Sequence, residues 1–165
     1  APPGRAPAPA PPTLAGVARV NDGDTITIGA TRIRLYGIDA PEFGQSCANA
    51  AGAPFDCGRR AADELTRWIA GRPLACASRG RDQHGRTLAR CAAPDGADAG
   101  AAMLASGWAV AFSRDDAAYA ALEAQAAAAG AGLWAGRFER PRAWRDAQAA
   151  RSPRPQAQAP PGPAR

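Results

Sequence analysis

The sequence predicts a small α+β domain built on a curled, mainly antiparallel sheet. Three observations lead to this fold class. Residues 14–38 alternate polar and apolar side chains with a period of two, which is typical of half-buried strands. Later segments with helical spacing stand between and after the strands. Two cysteines, Cys76 and Cys91, flank a turn and therefore predict a further hairpin.

The first strands lie between Leu14 and Ile38, where the fragments TITI and TRIRLY alternate strictly. The fragments NDGD and GAT are rich in turn-forming residues and separate these strands. Alternation places Ile33 and Leu35 on the face toward the core. The opposite face then carries Arg32, Arg34 and Tyr36.

Helices are expected in three segments. Residues 58–71 have apolar side chains at helical spacing and end at a glycine that is soon followed by proline. Residues 98–107 predict a short helix with Asp98 as its N-cap. Residues 113–130 predict a third helix that Ser113 opens. The fragment GWAVAF, between the second and third helices, is interpreted as a buried strand.

The 165-residue chain contains one domain with a tail at each end. Six of the 16 prolines fall in the first 12 residues and five in the last 19. Segments rich in proline, alanine and glutamine bury little surface and favour extended conformations. We therefore expect disordered tails at residues 1–13 and 147–165, and a folded domain at residues 14–146.

The basic residues are all arginine, 20 in number, and they give the chain a net charge of +5. Arginine presents a planar fork of donors that matches phosphate oxygens. This charge is compatible with a polyanionic partner, although charge alone does not establish one. A stretch of 18 apolar residues, as a membrane span requires, is missing from the sequence.

The four cysteines predict two disulfides, with four buried free thiols as the alternative. Antiparallel pairing of Cys76 with Cys91 puts residues 83–84 at the turn, and partners across a hairpin are close enough to be bridged. Cys47 and Cys57 bracket a loop that a bridge would tie down. Disulfides indicate an oxidising compartment, so we expect an exported protein, periplasmic or extracellular, from which a signal peptide has been removed.

Four acidic residues fall within a short part of this basic chain: Asp22 and Asp24 in NDGD, and Asp39 and Glu42 just past a strand end. Taken alone, NDGD is a good turn sequence. An EF-hand loop is excluded because isoleucine and threonine stand where a ligand and a glycine are required. The second acidic cluster favours a site for a hard divalent cation, since two acidic turns would supply its oxygens.

Two arginines supply the complementary half of such a site. Arg34 lies on the strand before the second acidic cluster, and Arg86 lies in the turn of the cysteine hairpin. A cation and two guanidiniums around one point suit a phosphodiester, whose negative charge grows as water attacks it. A carboxylate that is not a direct ligand could then orient or deprotonate that water.

In this order, the motifs DGDT, RLYGIDAPE, DQHGRTLA, GWA and LW…RPRAWR resemble those of the thermonuclease, or staphylococcal-nuclease-like, family. The resemblance covers about residues 17–145. It implies a five-stranded oligonucleotide-binding barrel packed with three helices. It also implies Ca²⁺-dependent hydrolysis of DNA and RNA at the 5′ P–O bond, which leaves 3′-phosphates. The cysteine pairs resemble those of exported bacterial members.

The resemblance also assigns roles to residues. Arg34, Glu42 and Arg86 match the family's catalytic positions. Asp24, Asp39 and the main-chain carbonyl of Ala40 match the Ca²⁺ ligands, and Asp22 matches a supporting acid.

Substrate contacts are expected from His84, Phe112 and Tyr36. His84 stands where the family often has tyrosine, and Val110 and Phe112 stand at the positions in GWAVAF where some members have tyrosines that stack on the substrate. The expected partners are DNA and RNA, preferably single-stranded, and the expected state is a monomer with no membrane association. Two alternatives stay open: a non-catalytic binding module on the same barrel, and a disulfide-bonded export domain with a purely structural calcium.

Overall fold

The computed structural model describes residues 12–152, so most of the two expected tails lies outside the described residues. The strands are β1 (Thr13–Val17), β2 (Arg19–Asp22), β3 (Thr25–Ile28), β4 (Thr31–Leu35), β5 (Ile38–Asp39), β6 (Ser46–Ala48), β7 (Pro54–Asp56), β8 (Pro73–Arg81), β9 (Thr87–Ala92) and β10 (Val110–Ala111). The α-helices are α1 (Cys57–Ile69), α2 (Ala99–Ala105), α3 (Ala117–Ala129) and α4 (Pro141–Arg151), and a 3₁₀ helix covers Gly132–Ala135.

The main sheet closes into a barrel. Its strand order is β1-β8-β9-β4-β3-β2, with β4 and β9 parallel and the other neighbours antiparallel. The two edge strands, β1 and β2, are separated in the chain only by Ala18. They form one bent strand whose first half pairs with β8 and whose second half pairs with β3. Counted this way, the barrel has the five strands that the family resemblance implied, and the α+β class is confirmed.

The hairpin of β8 and β9 has the register that the cysteines predicted. Cys76 lies opposite Cys91, and a disulfide joins them across a Cα–Cα distance of 4.0 Å. A shift in register between Ser78 and Arg81 then carries the strands to the turn. The second predicted bridge is present between Cys47 and Cys57, and it connects the β6–β7 hairpin to the first residue of α1. Both disulfides are therefore confirmed.

The hydrophobic core fills the barrel and continues under α1 and α2. Ile33 and Leu35 point inward, as their alternation predicted, and pack with Ile26 from the neighbouring strand. Leu65 of α1 and Met103 of α2 close the core from outside the sheet. Burial of such side chains contributes about 1.5–3 kcal/mol each, so this cluster holds the strand ends that carry the acidic residues.

The described residues contain four α-helices, one more than the three expected. The additional helix, α4, begins with Pro141 at its N-terminus, where proline is favourable. It continues through Arg151 and so crosses the domain boundary expected at residue 146. The third expected helix starts later than predicted: Asp116, not Ser113, is the N-cap of α3 and accepts a hydrogen bond from the Tyr119 backbone N–H.

The strand expected in GWAVAF is also shorter than predicted. Only Val110 and Ala111 pair, with Asp39 and Ile38 of β5. Phe112 lies beyond the strand with 53% of its surface exposed. Within residues 12–152, every helix is too short or too polar to cross a lipid bilayer.

Candidate active site

The two acidic turns meet at one end of the barrel. The side chain of Asp22 accepts a hydrogen bond from the Asp24 backbone N–H at 3.0 Å, which shapes the β2–β3 turn. The Asp24 carboxylate in turn accepts one from the Ala40 backbone N–H at 2.8 Å. This hydrogen bond joins the first acidic turn directly to the chain that follows β5. Asp39, the last residue of β5, lies beside it and is 3% exposed.

Two glycines permit this close approach. A Cβ atom on Gly23 would lie 2.7 Å from the Cβ atoms of both Ala40 and Ala61, too close for any side chain. A Cβ atom on Gly58, at the start of α1, would lie 2.0 Å from the carbonyl oxygen of Glu42. The glycine of the DGD motif therefore lets the acidic turns touch, and Gly58 lets the Glu42 loop pack against α1.

Arg34 bridges the two buried aspartates from β4. Its Nη1 lies 3.2 Å from Asp24 Oδ2, and its Nη2 lies 3.4 Å from Asp39 Oδ1. Nη2 also donates to the Ile38 carbonyl oxygen at 3.3 Å. With its side chain only 12% exposed, Arg34 has few alternative positions. The guanidinium is thus fixed at the boundary between the acids and the adjoining cavity.

Arg86 is oriented by Asp82 within the β8–β9 turn. Asp82 Oδ1 accepts hydrogen bonds from the backbone N–H groups of His84 and Arg86, both at 2.9 Å. Asp82 Oδ2 accepts from Arg86 Nε at 2.6 Å. The turn therefore leaves the terminal nitrogens of Arg86 available to a ligand. Asp82 was not among the predicted site residues, although its position four residues before the arginine in DQHGR was a usable signal.

Most of the predicted site residues line one cavity of about 560 Å³, called the central cavity below. Tyr36 lies outside it and lines a neighbouring cavity of about 800 Å³, to which Arg34 and Phe112 also contribute. Asp39 and Ala40 are buried just behind the cavity wall. Of the predicted residues, the central cavity is lined by Asp22, Asp24, Arg34, Glu42, His84, Arg86 and Phe112.

Arg145 of α4 is a member of the cluster that the sequence did not indicate. Its Nη1 lies 2.8 Å from Asp39 Oδ1 and 2.9 Å from Glu42 Oε1, and its Nη2 lies 3.1 Å from Asp39 Oδ2. The motif RPRAWR contains this arginine, but nothing local in that motif relates it to acids more than 100 residues earlier.

In both aspartates, burial raises the pKa of the carboxyl group and the neighbouring arginines lower it. Burial raises the pKa of Asp24 to about 6, although Arg34 works against the shift. Burial also raises the pKa of Asp39, against the hydrogen bonds from Arg145. The hydrogen bond to Asp39 raises the pKa of Arg145 above its usual range. Titratable groups whose pKa values are perturbed by burial and by specific charged partners are common at functional sites.

The oxygen donors of the cluster fit a hard divalent cation. Ca²⁺ takes about six to eight oxygens from carboxylates, carbonyls and water. Within residues 12–152, no three acidic, histidine or cysteine side chains converge closely enough to hold a metal ion by themselves. Asp24 and Asp39 would therefore need the Ala40 carbonyl and water molecules to complete the shell. In this structure the carboxylates are neutralised by Arg34 and Arg145.

Comparison with known proteins agrees with this geometry. The family model described as "Staphylococcal nuclease homologue" matches residues 32–136. A succinoglycan biosynthesis protein, ExoI, of Rhizobium meliloti is 39% identical over 123 residues, which cover 73% of this chain and 64% of that protein. An uncharacterized endonuclease of Escherichia coli O157:H7 is 35% identical over 124 residues, which cover 72% of this chain and 74% of that protein. The chain therefore spans less than two thirds of the ExoI protein and about three quarters of the endonuclease. On these matches and on its barrel, the chain belongs to the staphylococcal nuclease family.

Proposed function

We propose that the chain is a Ca²⁺-dependent nuclease that hydrolyses DNA and RNA phosphodiesters at the 5′ P–O bond. The observation that carries this proposal is the convergence of Arg34, Glu42 and Arg86, from three separate segments, on one cavity beside buried aspartates. Two Escherichia coli relatives are described as uncharacterized endonucleases, which supports the same proposal.

In the proposed reaction, Glu42 accepts a proton from the attacking water as the water oxygen bonds to phosphorus. Arg34 and Arg86 donate hydrogen bonds to the phosphoryl oxygens, where negative charge increases. The bond from phosphorus to the 5′ oxygen breaks, and that oxygen takes up a proton, so that the products are a 3′-phosphate and a 5′-hydroxyl. A bound cation would supply further positive charge next to the phosphate.

Asp24, Asp39 and the Ala40 carbonyl would hold the cation, with Asp22 in support through its hydrogen bond to the Asp24 backbone. His84 and Phe112 line the same cavity and would contact the nucleotide beside the cleaved bond. Tyr36 lines the neighbouring cavity and would contact the nucleic-acid strand at a nucleotide farther from the cleaved bond. A base stacked on an exposed aromatic ring gains about 1–3 kcal/mol, which favours single strands with unpaired bases.

We further propose that the protein acts outside the cytoplasm as a monomer. The two disulfides support export, because such bonds persist in oxidising compartments. The monomer is supported because a single copy carries every residue proposed for the site, in or beside the central cavity.

The proposal is tested by incubating the protein with single-stranded DNA and with RNA, in Ca²⁺ and then in a chelator. We expect cleavage only with Ca²⁺, and fragments whose 3′ ends become extendable by a polymerase after phosphatase treatment. Cleavage that continues in the chelator would show that the reaction does not require Ca²⁺ and would contradict that part of the proposal. Binding without product in either condition would favour the non-catalytic module instead.

A further inference from the structure

Arg145 lies where the proposed site would be expected to receive its cation. Both oxygens of Asp39 accept hydrogen bonds from its guanidinium, and the same Nη1 also reaches Glu42. Asp39 is 3% exposed, so few other groups can reach its carboxylate. The proposed ligand Asp39 and the proposed base Glu42 are therefore held by one arginine from the C-terminal helix.

We infer that Arg145 is an internal counter-ion that competes with the divalent cation and leaves Asp39 and Glu42 when the cation binds. This inference rests on the metal site of the proposed function. A guanidinium paired with both oxygens of Asp39 already occupies the carboxylate oxygens that a cation would need as ligands. A divalent cation on the same carboxylate would also place like charges within a few ångströms of each other.

The charge balance of the cluster explains why such a counter-ion is present. Asp24 and Asp39 are both buried, and Arg34 is shared between them. Two buried carboxylates with one shared arginine are costly, because a buried charge needs its own compensation. Arg145 supplies that compensation for Asp39 in the metal-free protein. A bound cation would supply it instead, and Arg145 would then no longer be needed there.

The attachment of α4 allows this exchange. Pro141, the first residue of α4, is the one buried residue of the helix in the described chain. The start of the helix is anchored by the Gln45 side chain, whose amide donates to the Glu139 carbonyl at 2.7 Å. Beyond that point, the Arg145 side chain is 35% exposed. Arg145 can therefore swing toward solvent without disturbing the hydrophobic core.

Release of Arg145 also frees the proposed base. Glu42 Oε1 is 2.9 Å from Arg145 Nη1, so the guanidinium occupies a carboxylate oxygen that would otherwise be free to contact the attacking water. Cation binding and activation of Glu42 would then be one coupled event. Arg145 would thus limit proton transfer from water to Glu42 to protein molecules that hold the metal.

The test measures Ca²⁺ affinity directly, by calorimetric titration of the metal into chelator-treated protein. Arg145→Ala should bind Ca²⁺ at least about tenfold more tightly than the unchanged protein. Arg145→Lys keeps the charge but not the bidentate fork, so its affinity should fall between the two. The matched control is Arg151→Ala, which removes the same charge from the exposed end of the same helix, lies outside the central cavity and has no ion pair within residues 12–152. Its affinity should change by no more than about threefold.

Thermal denaturation separates competition from a merely structural role. In chelator, Arg145→Ala should melt at a lower temperature than the unchanged protein, because Asp39 loses its counter-ion. In saturating Ca²⁺ that deficit should shrink or reverse, because tighter binding stabilises the variant more. A purely structural arginine would leave the same deficit in both conditions, and that result would overturn the inference.

The outcomes also separate this inference from the proposed function. Equal Ca²⁺ affinities in Arg145→Ala and the unchanged protein, with cleavage that still needs Ca²⁺, would overturn only the competition. If neither the unchanged protein nor any of the variants binds Ca²⁺, the proposed metal site and the competition are both overturned. Tighter binding by Arg145→Ala, with the Arg151→Ala control unchanged, supports both.

Discussion

Glu42 is held from two directions. Its carboxylate contacts Arg145, and its backbone N–H donates to Gln45 Oε1 at 3.2 Å. Its side chain keeps 33% exposure and lines the central cavity together with Arg34 and Arg86. A carboxylate that is positioned but still open to solvent is suited to accept a proton from water.

Replacing Glu42 by glutamine should lower kcat/KM for single-stranded DNA by about 10²–10⁴, the usual contribution of a general base. Glutamine keeps the size of the side chain but cannot take up the proton. Steady-state kinetics in saturating Ca²⁺ would measure the change. Glu139→Gln makes the same substitution on an exposed side chain and should change the rate little. A loss below tenfold in Glu42→Gln would show that another group activates the water.

Asp24 should make the metal-free protein less stable as the pH rises. Its folded pKa, about 6, lies above the ordinary value of 3.8, so the folded protein holds the proton more tightly than the unfolded chain does. Stability from this group is therefore full below about pH 4 and is lost as the pH rises through about 6. Denaturant unfolding in chelator should show Asp24→Asn gaining stability relative to the unchanged protein over that window.

The control for this pH dependence is Asp63→Asn, on the exposed face of α1. The difference between its stability and that of the unchanged protein should stay constant over the same window. If Asp24→Asn behaves like this control, burial does not raise the Asp24 pKa as the structure indicates.

At the scale of elements, Gln45 connects the Glu42 loop to the C-terminal helix. This fully buried side chain accepts a hydrogen bond from the Glu42 N–H and donates one to the Glu139 carbonyl just before α4. The Gln45 carbonyl also accepts from the Cys57 N–H at the start of α1. One residue thus fixes three elements around the site.

Replacing Gln45 by alanine should destabilise the protein by about 1–3 kcal/mol, because the Glu42 N–H and the Glu139 carbonyl would lose their buried partners. Denaturant unfolding would measure the difference. Gln125→Ala, on the exposed face of α3, should change stability by less than about 0.5 kcal/mol. Equal effects of the two substitutions would mean that water replaces the Gln45 contacts without loss.

Elements with strong local signals were predictable from the sequence. The alternation around Ile33 and Leu35 placed β4 and its buried face, and Asp98 was identified as the N-cap of α2. Errors arose where two local signals competed or the signal was weak. Ser113 and Asp116 can both cap a helix, and the structure uses the aspartate. The end of α4 was assigned to the tail, because its composition resembles the tail and one buried residue leaves little apolar pattern.

The candidate site was predictable to the extent that it is local in sequence. Arg34, Asp39 and Glu42 lie within nine residues, and family motifs identify Arg86. The contacts of Arg145 with Asp39 and Glu42 could not be predicted, because sequence separations of 106 and 103 residues leave no periodicity or spacing to detect. The same holds for Gln45 and Glu139. The functional roles of all these residues stay predictions until they are tested.

For the whole molecule, three adjoining cavities form a path across one face. The central cavity shares Arg34 and Phe112 with the cavity of about 800 Å³ that contains Tyr36. On its other side it shares Glu42 and Arg86 with a cavity of about 690 Å³. The third cavity is strongly basic, since its lining includes Arg32, Arg81, Arg86 and Arg145. A nucleic-acid strand could therefore continue past the cleaved bond in both directions.

Arg81→Ala should weaken binding of single-stranded DNA and make it less dependent on salt. Arg81 is exposed, lines the basic cavity and has no ion pair within the described residues, so it is available to a phosphate. Removal of one phosphate contact should reduce the slope of log affinity against log salt by about 1. Fluorescence anisotropy in chelator, which suppresses cleavage, would measure the slope.

The matched control is Arg59→Ala, which removes the same charge from α1, where the residue is exposed, has no ion pair within the described residues and lies outside the three cavities. Its salt slope should stay within experimental error of that of the unchanged protein. A slope reduced equally in both variants would point to nonspecific attraction by the net charge of +5.

The dependence of the Glu42 loop on α4 has a consequence for the order in which the protein matures. The ribosome completes Asp24, Asp39 and Glu42 long before Arg145 and Glu139, so the barrel strands exist before the chain that fixes the loop. The last contacts to form are therefore those of the C-terminal segment with Gln45, Asp39 and Glu42. A chain released early, before residue 139, would contain every barrel strand but would leave its acidic loop without its final anchor and counter-ion.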